Sequence, residues 1–398
     1  MKKVISIIVV LAILFSIAVP VSVVAATKVS GVRQTQAGTS YFTIEWDQYS
    51  TVTRYKVEYS TSQYGVYTTD TEYAGSSDTV FTNFPGKTYY VKVTPYVNGG
   101  WQTSSASAPI AVVTTPKSVE NLKQTGISTN SIKLSWSASS GAQSYNIYKY
   151  YSSTSIKKIG SSNTNSYTIS GLSNTKNFDF SYIQVRPVRS SGSYIAEGNY
   201  ESIFSYYLKL TPQKGKTPKP SYYWNYSGEI SFKRPELKHQ DGFQFKIYKA
   251  NKKKALKTIT DKTSCKLKKG QAYKVKTRSY TLFNSKKVYG KWSGYKYIVS
   301  GLKSMKITSK TKHSVKLKWK KPKGGKFKYD IYVSKTYNKG KKKAAKNLKK
   351  TSFTVKKYGK KSLKKGTYYY YYVVPKIKVG KKYKASDILT YVYGYTKF

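Results

Sequence analysis

Hydrophobic and polar positions alternate with a period of two in short stretches that recur along the chain. Four of them end in a large aromatic: Phe42-Thr43-Ile44-Glu45-Trp46, Ile132-Lys133-Leu134-Ser135-Trp136, Ile230-Ser231-Phe232 and Val315-Lys316-Leu317-Lys318-Trp319. Such alternation places one set of side chains on one face of a pleated strand and the intervening set on the other. The closing aromatics lie 90, 96 and 87 residues apart, the spacing of an internal repeat. A second alternating stretch follows each one, at Tyr55-Lys56-Val57, Tyr145-Asn146-Ile147, Phe245-Lys246-Ile247 and Tyr329-Asp330-Ile331. A third feature is a glycine turn leading into a tyrosine-rich strand, as in Pro85-Gly86-Lys87-Thr88-Tyr89, Lys269-Gly270-Gln271-Ala272-Tyr273 and Lys365-Gly366-Thr367-Tyr368-Tyr369. Short strands at near-regular spacing, with turn signals between them, predict an all-β chain of tandem sandwiches.

A Trp closing one strand, an aromatic opening the next and a Leu-x-x-Gly-x-x-Tyr corner together resemble the fibronectin type III domain. The resemblance spans residues 27 to 398 in four copies and implies seven-stranded, immunoglobulin-like Greek-key sandwiches with the Trp in the core. It further implies that Tyr89, Tyr273 and Tyr369 lock their corners through the hydroxyl. Two places depart from the pattern: Phe232 stands where Trp is expected, and the second corner is irregular, with Phe178 or Tyr182 as the stand-in. The expected domains are 27–115, 116–212, 221–300 and 301–398. A Pro/Lys linker at 213–220 is expected to carry the main hinge, because closely spaced prolines hold the backbone extended. Val299-Ser300-Gly301-Leu302 leaves almost no slack between the third and fourth.

Residues 1–26 read as a secretory signal peptide: Lys2 and Lys3, an uncharged apolar run, Pro20, then small residues up to Ala26. An uncleaved anchor is the competing reading. No second hydrophobic span follows, so no integral membrane span is expected after cleavage, and no LPxTG-type sorting sequence is present. The expected location is secreted, at the cell surface or cell wall.

Charge changes the picture most. The 398 residues carry 72 Lys and Arg against 16 Asp and Glu, a formal net charge of +56. Residues 213–398 hold 54 of the basic residues and only 6 of the acidic ones, so the field belongs to the C-terminal half. Six of the 72 are Arg, and bidentate recognition of bases, carboxylates or single phosphates prefers that planar side chain. Lysines in such number suit diffuse binding of a polyanion: an anionic cell-wall polymer, an acidic polysaccharide or, without sequence preference, extracellular DNA. The strand period turns Lys316, Lys318 and Lys320 outward beneath Val315, Leu317 and Trp319. The runs Lys341-Lys342-Lys343 and Lys356-Lys357 fall on loops and strand ends. These eight are the candidate polyanion-binding residues. The same lysines would also keep an exported array soluble and blunt its edge strands.

Other chemistry is sparse. Two histidines, His239 and His313, and one cysteine, Cys265, exclude a clustered metal site or an intrachain disulfide by counting. Carboxylates such as Glu45 occupy outward strand positions, and no phosphate-cradling glycine loop occurs. No catalytic residue, metal ligand or cofactor is expected. In the last repeat Tyr368, Tyr370 and Tyr372 take the outward register near Tyr332. Tyr332, Tyr370 and Tyr372 are therefore candidates for stacking on sugar faces, the basis of an alternative reading as a carbohydrate-binding or adhesion module. Cross-strand tyrosine ladders also stabilise sheets without a ligand.

Overall fold

The structure is a computed structural model, and it describes residues 27–224 and 229–398. The signal segment 1–26 lies outside the described residues. No helix among the described residues is long and apolar enough to cross a membrane.

The described residues are all-β, with short 3-10 turns at Thr103–Ser105 and Ser205–Tyr207. In the first repeat Arg33–Ala37, Tyr41–Glu45 and Ser77–Phe81 form a three-stranded sheet. The opposing sheet runs Thr68–Tyr73, Arg54–Ser60, Thr88–Val97, and both Gly100–Trp101 and Ile110–Val113 pair with the last of these. The same pairing of a three-stranded with a five-stranded sheet recurs over Glu120–Phe204, Pro220–Val299 and Lys306–Tyr395. This is the strand order of a fibronectin type III-like sandwich repeated in tandem.

The chain divides into two compact units. Among the described residues, one takes in 27–120 with Ser137–Asn146 and Val185–Glu201; the other takes in Asn121–Trp136, Ile147–Gln184 and the described part of Ser202–Phe398. Both cores follow from the alternation. In the first unit Phe42, Ile44 and Trp46 face Tyr55, Val57, Val91 and Val93 in one cluster. Trp46 meets Tyr55 edge-on at 5.5 Å, and the Tyr55 hydroxyl accepts the Tyr49 N–H at 2.8 Å. Each such fully buried side chain contributes about 1.5–3 kcal/mol by leaving water.

The second unit repeats this design. Trp319 meets Tyr329 edge-on at 5.1 Å. Phe232, in the place of a Trp, is buried with its ring 5.0 Å from that of Phe245. In the irregular second corner the buried aromatic is Phe180. Tyr182 instead stacks on Tyr150 at 4.2 Å, and Phe178 packs on Phe180 and His239, so neither expected stand-in fills the corner.

The corner tyrosines divide. The Tyr273 hydroxyl donates to the Lys268 carbonyl at 3.3 Å, and the Tyr369 hydroxyl accepts the Lys364 N–H at 3.2 Å. The Tyr89 hydroxyl is buried and has no hydrogen-bond partner among the described residues, so it does not lock its corner. The Pro/Lys stretch before the third sheet pair lies against it: Pro212, Gly215 and Pro218 are buried, and the Gly215 N–H donates to the Lys291 carbonyl at 2.9 Å.

The third and fourth sheet pairs are joined through their cores. Ile388 from the fourth enters the cluster of Phe232, Phe245 and Tyr273, while Ala272, Val299 and Leu302 belong to the cluster of Trp319 and Tyr329. The Val299 N–H donates to Ser386 Oγ at 3.0 Å, the Leu302 N–H to Thr390 Oγ1 at 2.8 Å, and Lys296 pairs with Asp387 at 2.5 Å. Connecting residues buried and bonded in this way hold the two sandwiches in fixed register.

Candidate polyanion-binding surface

The outward register of Lys316, Lys318 and Lys320 holds: all three are exposed, and Val315, Leu317 and Trp319 between them are buried. The neighbouring strand Lys306–Thr311 sets Lys306 directly opposite Lys318. Like charges facing each other across a strand pair cost about 0.2–1 kcal/mol in the absence of counter-ions. Lys356 and Lys357 are exposed just after the next strand of the same sheet, Ser352–Val355, beside His313, and Lys357 opens the short strand Lys357–Tyr358.

Lys341, Lys342 and Lys343 belong elsewhere. Lys342 and Lys343 lie on the strand Lys342–Leu348 of the five-stranded sheet, opposite Val333 and Tyr332. Lys316 and Lys318 thus lie on the three-stranded sheet and Lys342 and Lys343 on the five-stranded one, while the short strand Lys357–Tyr358 is separate, and its Tyr358 hydroxyl donates to the Gly340 carbonyl beside Lys341 at 3.0 Å. Lys343 sits over the Tyr332 ring at 5.5 Å and Lys341 over the Tyr372 ring at 5.1 Å. Lys341 is half-buried, and that burial pushes its ammonium group below the ordinary lysine range. None of the eight is ion-paired with a carboxylate among the described residues.

Lys320 leads to a feature that sequence reasoning missed. It lines a cleft of about 630 Å³ where the third and fourth sheet pairs meet. The third contributes Lys249, Lys257, Lys266, Lys268 and Lys269 to its walls. From the fourth come Lys303, Lys321 and Lys323 alongside Lys320, and no Asp or Glu is among the lining residues. The volume is that of an ordinary ligand pocket, and its walls set nine lysines beside the apolar surface of Leu256, Leu267 and Tyr273. Acidic residues of this half are engaged elsewhere: Asp241 with Lys209, Asp330 with Lys376 and Asp387 with Lys296. Asp261 accepts from the Tyr280 hydroxyl and Glu229 from Ser264. The signal in the sequence was the cluster Lys266-Leu267-Lys268-Lys269-Gly270 together with the slack-free junction at Val299–Leu302; only the docking of the sandwiches joins it to Lys303 and Lys320.

The tyrosine platform needs correction. Tyr372 takes the outward register but is only 1% exposed, because the chain after Ser334 folds over it. The Asn338 N–H donates to its hydroxyl at 2.7 Å. Tyr332 is half-buried beneath Lys343, and Tyr370 is flanked by Tyr337, Tyr391 and Tyr393 at 5.8, 6.2 and 6.0 Å. The three candidates thus form no open stacking face. Within the fourth sheet pair the exposed aromatic surface lies instead at Tyr337, Tyr393, Tyr395 and Phe398. The third sheet pair follows the same rule of cations over rings. There Arg278 covers Tyr289 at 3.6 Å and Trp292 at 4.4 Å, while Lys274 lies over Tyr295 at 5.0 Å.

The remaining reactive side chains have structural partners. One imidazole nitrogen of His239 contacts the Lys176 carbonyl at 2.8 Å, and one of His313 contacts the Leu363 carbonyl at 2.8 Å. Cys265 is buried, and desolvation pushes its thiol up. Glu45 pairs with Arg33 at 2.7 Å on the surface. Among the described residues no three His, Cys, Asp or Glu side chains are grouped to hold a metal ion.

No protein-family profile and no curated protein matches the sequence. Among solved structures, the chain is similar to that of the chicken CNTN1 FN1-FN3 domains, with 17% identity and a TM-score of 0.27. That match covers 69% of this chain and 98% of the other.

Proposed function

We propose that the chain is a non-enzymatic, exported binding and spacer protein, retained at the cell surface or in the cell wall by anionic polymers that engage the lysines of its third and fourth sheet pairs. The observation that carries this reading is the combination of Lys306 facing Lys318 with a junction cleft walled by lysines and free of carboxylates. Surface lysines kept only for solubility are better interspersed with acids, since concentrated like charge destabilises the compact state. A polyanion reverses the sign of that cost. It also releases its condensed counter-ions, and this entropy drives attachment without demanding a unique geometry. Lysine, a compact and mobile point charge, suits an irregular polymer better than the guanidinium fork does. Wall-type phosphate polymers and acidic polysaccharides fit this chemistry, and DNA would bind without sequence preference. The first two sheet pairs, with little net charge, would serve as the spacer or carry a partner.

The test is retention of the full-length protein on a surface coated with a phosphate polymer, washed with rising NaCl, against a neutral glycan surface. Salt-dependent release from the first and no retention on the second is expected. Equal retention on both, unchanged by salt, contradicts the reading.

A further inference from the structure

We propose that the cleft between the third and fourth sheet pairs is a discrete site for a run of consecutive phosphate groups, distinct in kind from the diffuse lysine surface around it. The inference rests on the polyanion reading and adds to it a place and a ligand chemistry.

Three observations carry it. First, the cleft is built from both sandwiches and its floor is fixed by backbone bonds. The Lys323 N–H donates to the Gly270 carbonyl at 2.9 Å, and the Ala272 N–H donates to the Lys323 carbonyl at 2.9 Å. On the fourth sheet pair's side the Lys320 N–H donates to the Lys303 carbonyl at 3.0 Å. A wall held in this way loses little freedom when a ligand arrives, unlike lysines on a flexible tail. Second, nine lysines line a volume of about 630 Å³ with no carboxylate among the lining residues, and of these the Lys257 ammonium donates to the Lys266 carbonyl at 3.1 Å. One monovalent ion leaves most of that charge unanswered; several anionic groups close together are needed. Third, no arginine lines the cleft. Ammonium groups bind as point charges, without the planar match that a guanidinium fork gives carboxylates and single phosphates alike, so they answer charge density more than geometry. A run of phosphates, with more anionic oxygens per group than a carboxylate, therefore fits better than a polycarboxylate.

The site also has a mechanical consequence. Mutual repulsion of the lysines across the junction opposes the docking of the two sandwiches, and a polyphosphate bridging Lys268 with Lys303 and Lys321 converts it to attraction. Ligand binding then stabilises this junction by mass action.

The experiment is calorimetric titration of the full-length protein at constant ionic strength with inorganic tripolyphosphate and with orthophosphate. It compares the unaltered chain, a Lys268→Gln/Lys303→Gln/Lys321→Gln variant and a Lys316→Gln/Lys318→Gln variant. Glutamine keeps most of the apolar stem, and thermal unfolding of each chain without ligand checks that folding is retained. Saturable tripolyphosphate binding is expected, weakened about tenfold or more in the cleft variant and little changed in the strand variant. Orthophosphate should bind far more weakly. Competition by a short phosphodiester oligomer would assign the phosphates to a polymer, and its failure to compete would assign them to a free polyphosphate; either supports the site. Tripolyphosphate affinity unchanged in the cleft variant, or matched by orthophosphate, overturns it. Salt-insensitive retention on phosphate polymer alongside intact tripolyphosphate binding would sink the broader function and leave the cleft standing.

Discussion

The amide of Lys323, in the loop that follows Trp319, donates to the carbonyl of Gly270, the corner glycine of the preceding sandwich, at 2.9 Å. That bond joins two repeats that a reading of either alone treats as independent. Beside it Gly324 adopts φ +93°, and a Cβ there would collide with the Gln271 amide. Gly324→Ala is therefore expected to destabilise the junction by about 1–3 kcal/mol, chiefly through backbone strain, since the Gln271 amide is the mobile end of a flexible side chain. A fall in the urea midpoint of the unfolding transition to which the third and fourth sheet pairs contribute checks this, and an unchanged midpoint contradicts it.

The corner tyrosines form an internal contrast. Tyr369→Phe removes the acceptor of the Lys364 N–H and should cost about 0.5–1.5 kcal/mol. Tyr89→Phe removes a buried hydroxyl with no hydrogen-bond partner among the described residues, and should be neutral or stabilising. Urea unfolding of the two variants measures the difference directly. A larger loss for Tyr89→Phe would mean that its hydroxyl is satisfied after all.

Alkaline pH should act through the buried phenols. Desolvation pushes Tyr329 from 10.0 up to about 12 and raises Tyr371 as well. A folded-state value above the unfolded one means that the fold favours the protonated phenol. The stability this gives is complete below pH 10.0 and is lost as pH rises toward about 12, since the unfolded chain gives up its proton first. Tyrosinate absorbance against pH should show these side chains ionising together with unfolding, and Tyr329→Phe should make unfolding in that window less steep. Ionisation of Tyr329 in a chain that is still folded near pH 10 would contradict the assignment.

Tyr372 shows where the alternation misleads. Its register is outward, as strand periodicity requires, yet the Asn338 N–H and the Lys341 side chain cover it. Tyr372→Phe should cost about 0.5–1.5 kcal/mol by stripping the Asn338 N–H of its acceptor, with no effect on neutral sugar binding. Glycan binding that depends on Tyr372 would restore the platform it was expected to form.

Much of the fold was legible because a period of two separates buried from exposed side chains locally: Val315, Leu317 and Trp319 inside, Lys316 and Lys318 outside. The turn-and-tyrosine corners were legible for the same reason. What escaped was set by chain folding over longer distances. A loop closing on Tyr372 leaves no periodic trace. Phe180 fills the second corner from a segment without regular spacing. Lys268 and Lys303 share a cleft only because Ile388 of the fourth sheet pair enters the core of the third. Lys316 and Lys342 sit on different sheets, since the strand Lys342–Leu348 belongs to the five-stranded sheet and Lys316 to the three-stranded one.

The most direct test of the central claim is the salt dependence of binding to a phosphate polymer of known charge spacing, such as duplex DNA, by the full-length protein. Counter-ion release gives a slope of log affinity against log salt of about −0.9 for each phosphate neutralised. The account predicts a slope equivalent to several phosphates, made shallower by roughly one contact for each engaged lysine replaced among Lys306, Lys316, Lys318 and Lys320. A slope near zero, or one that survives all four replacements undiminished, would contradict it.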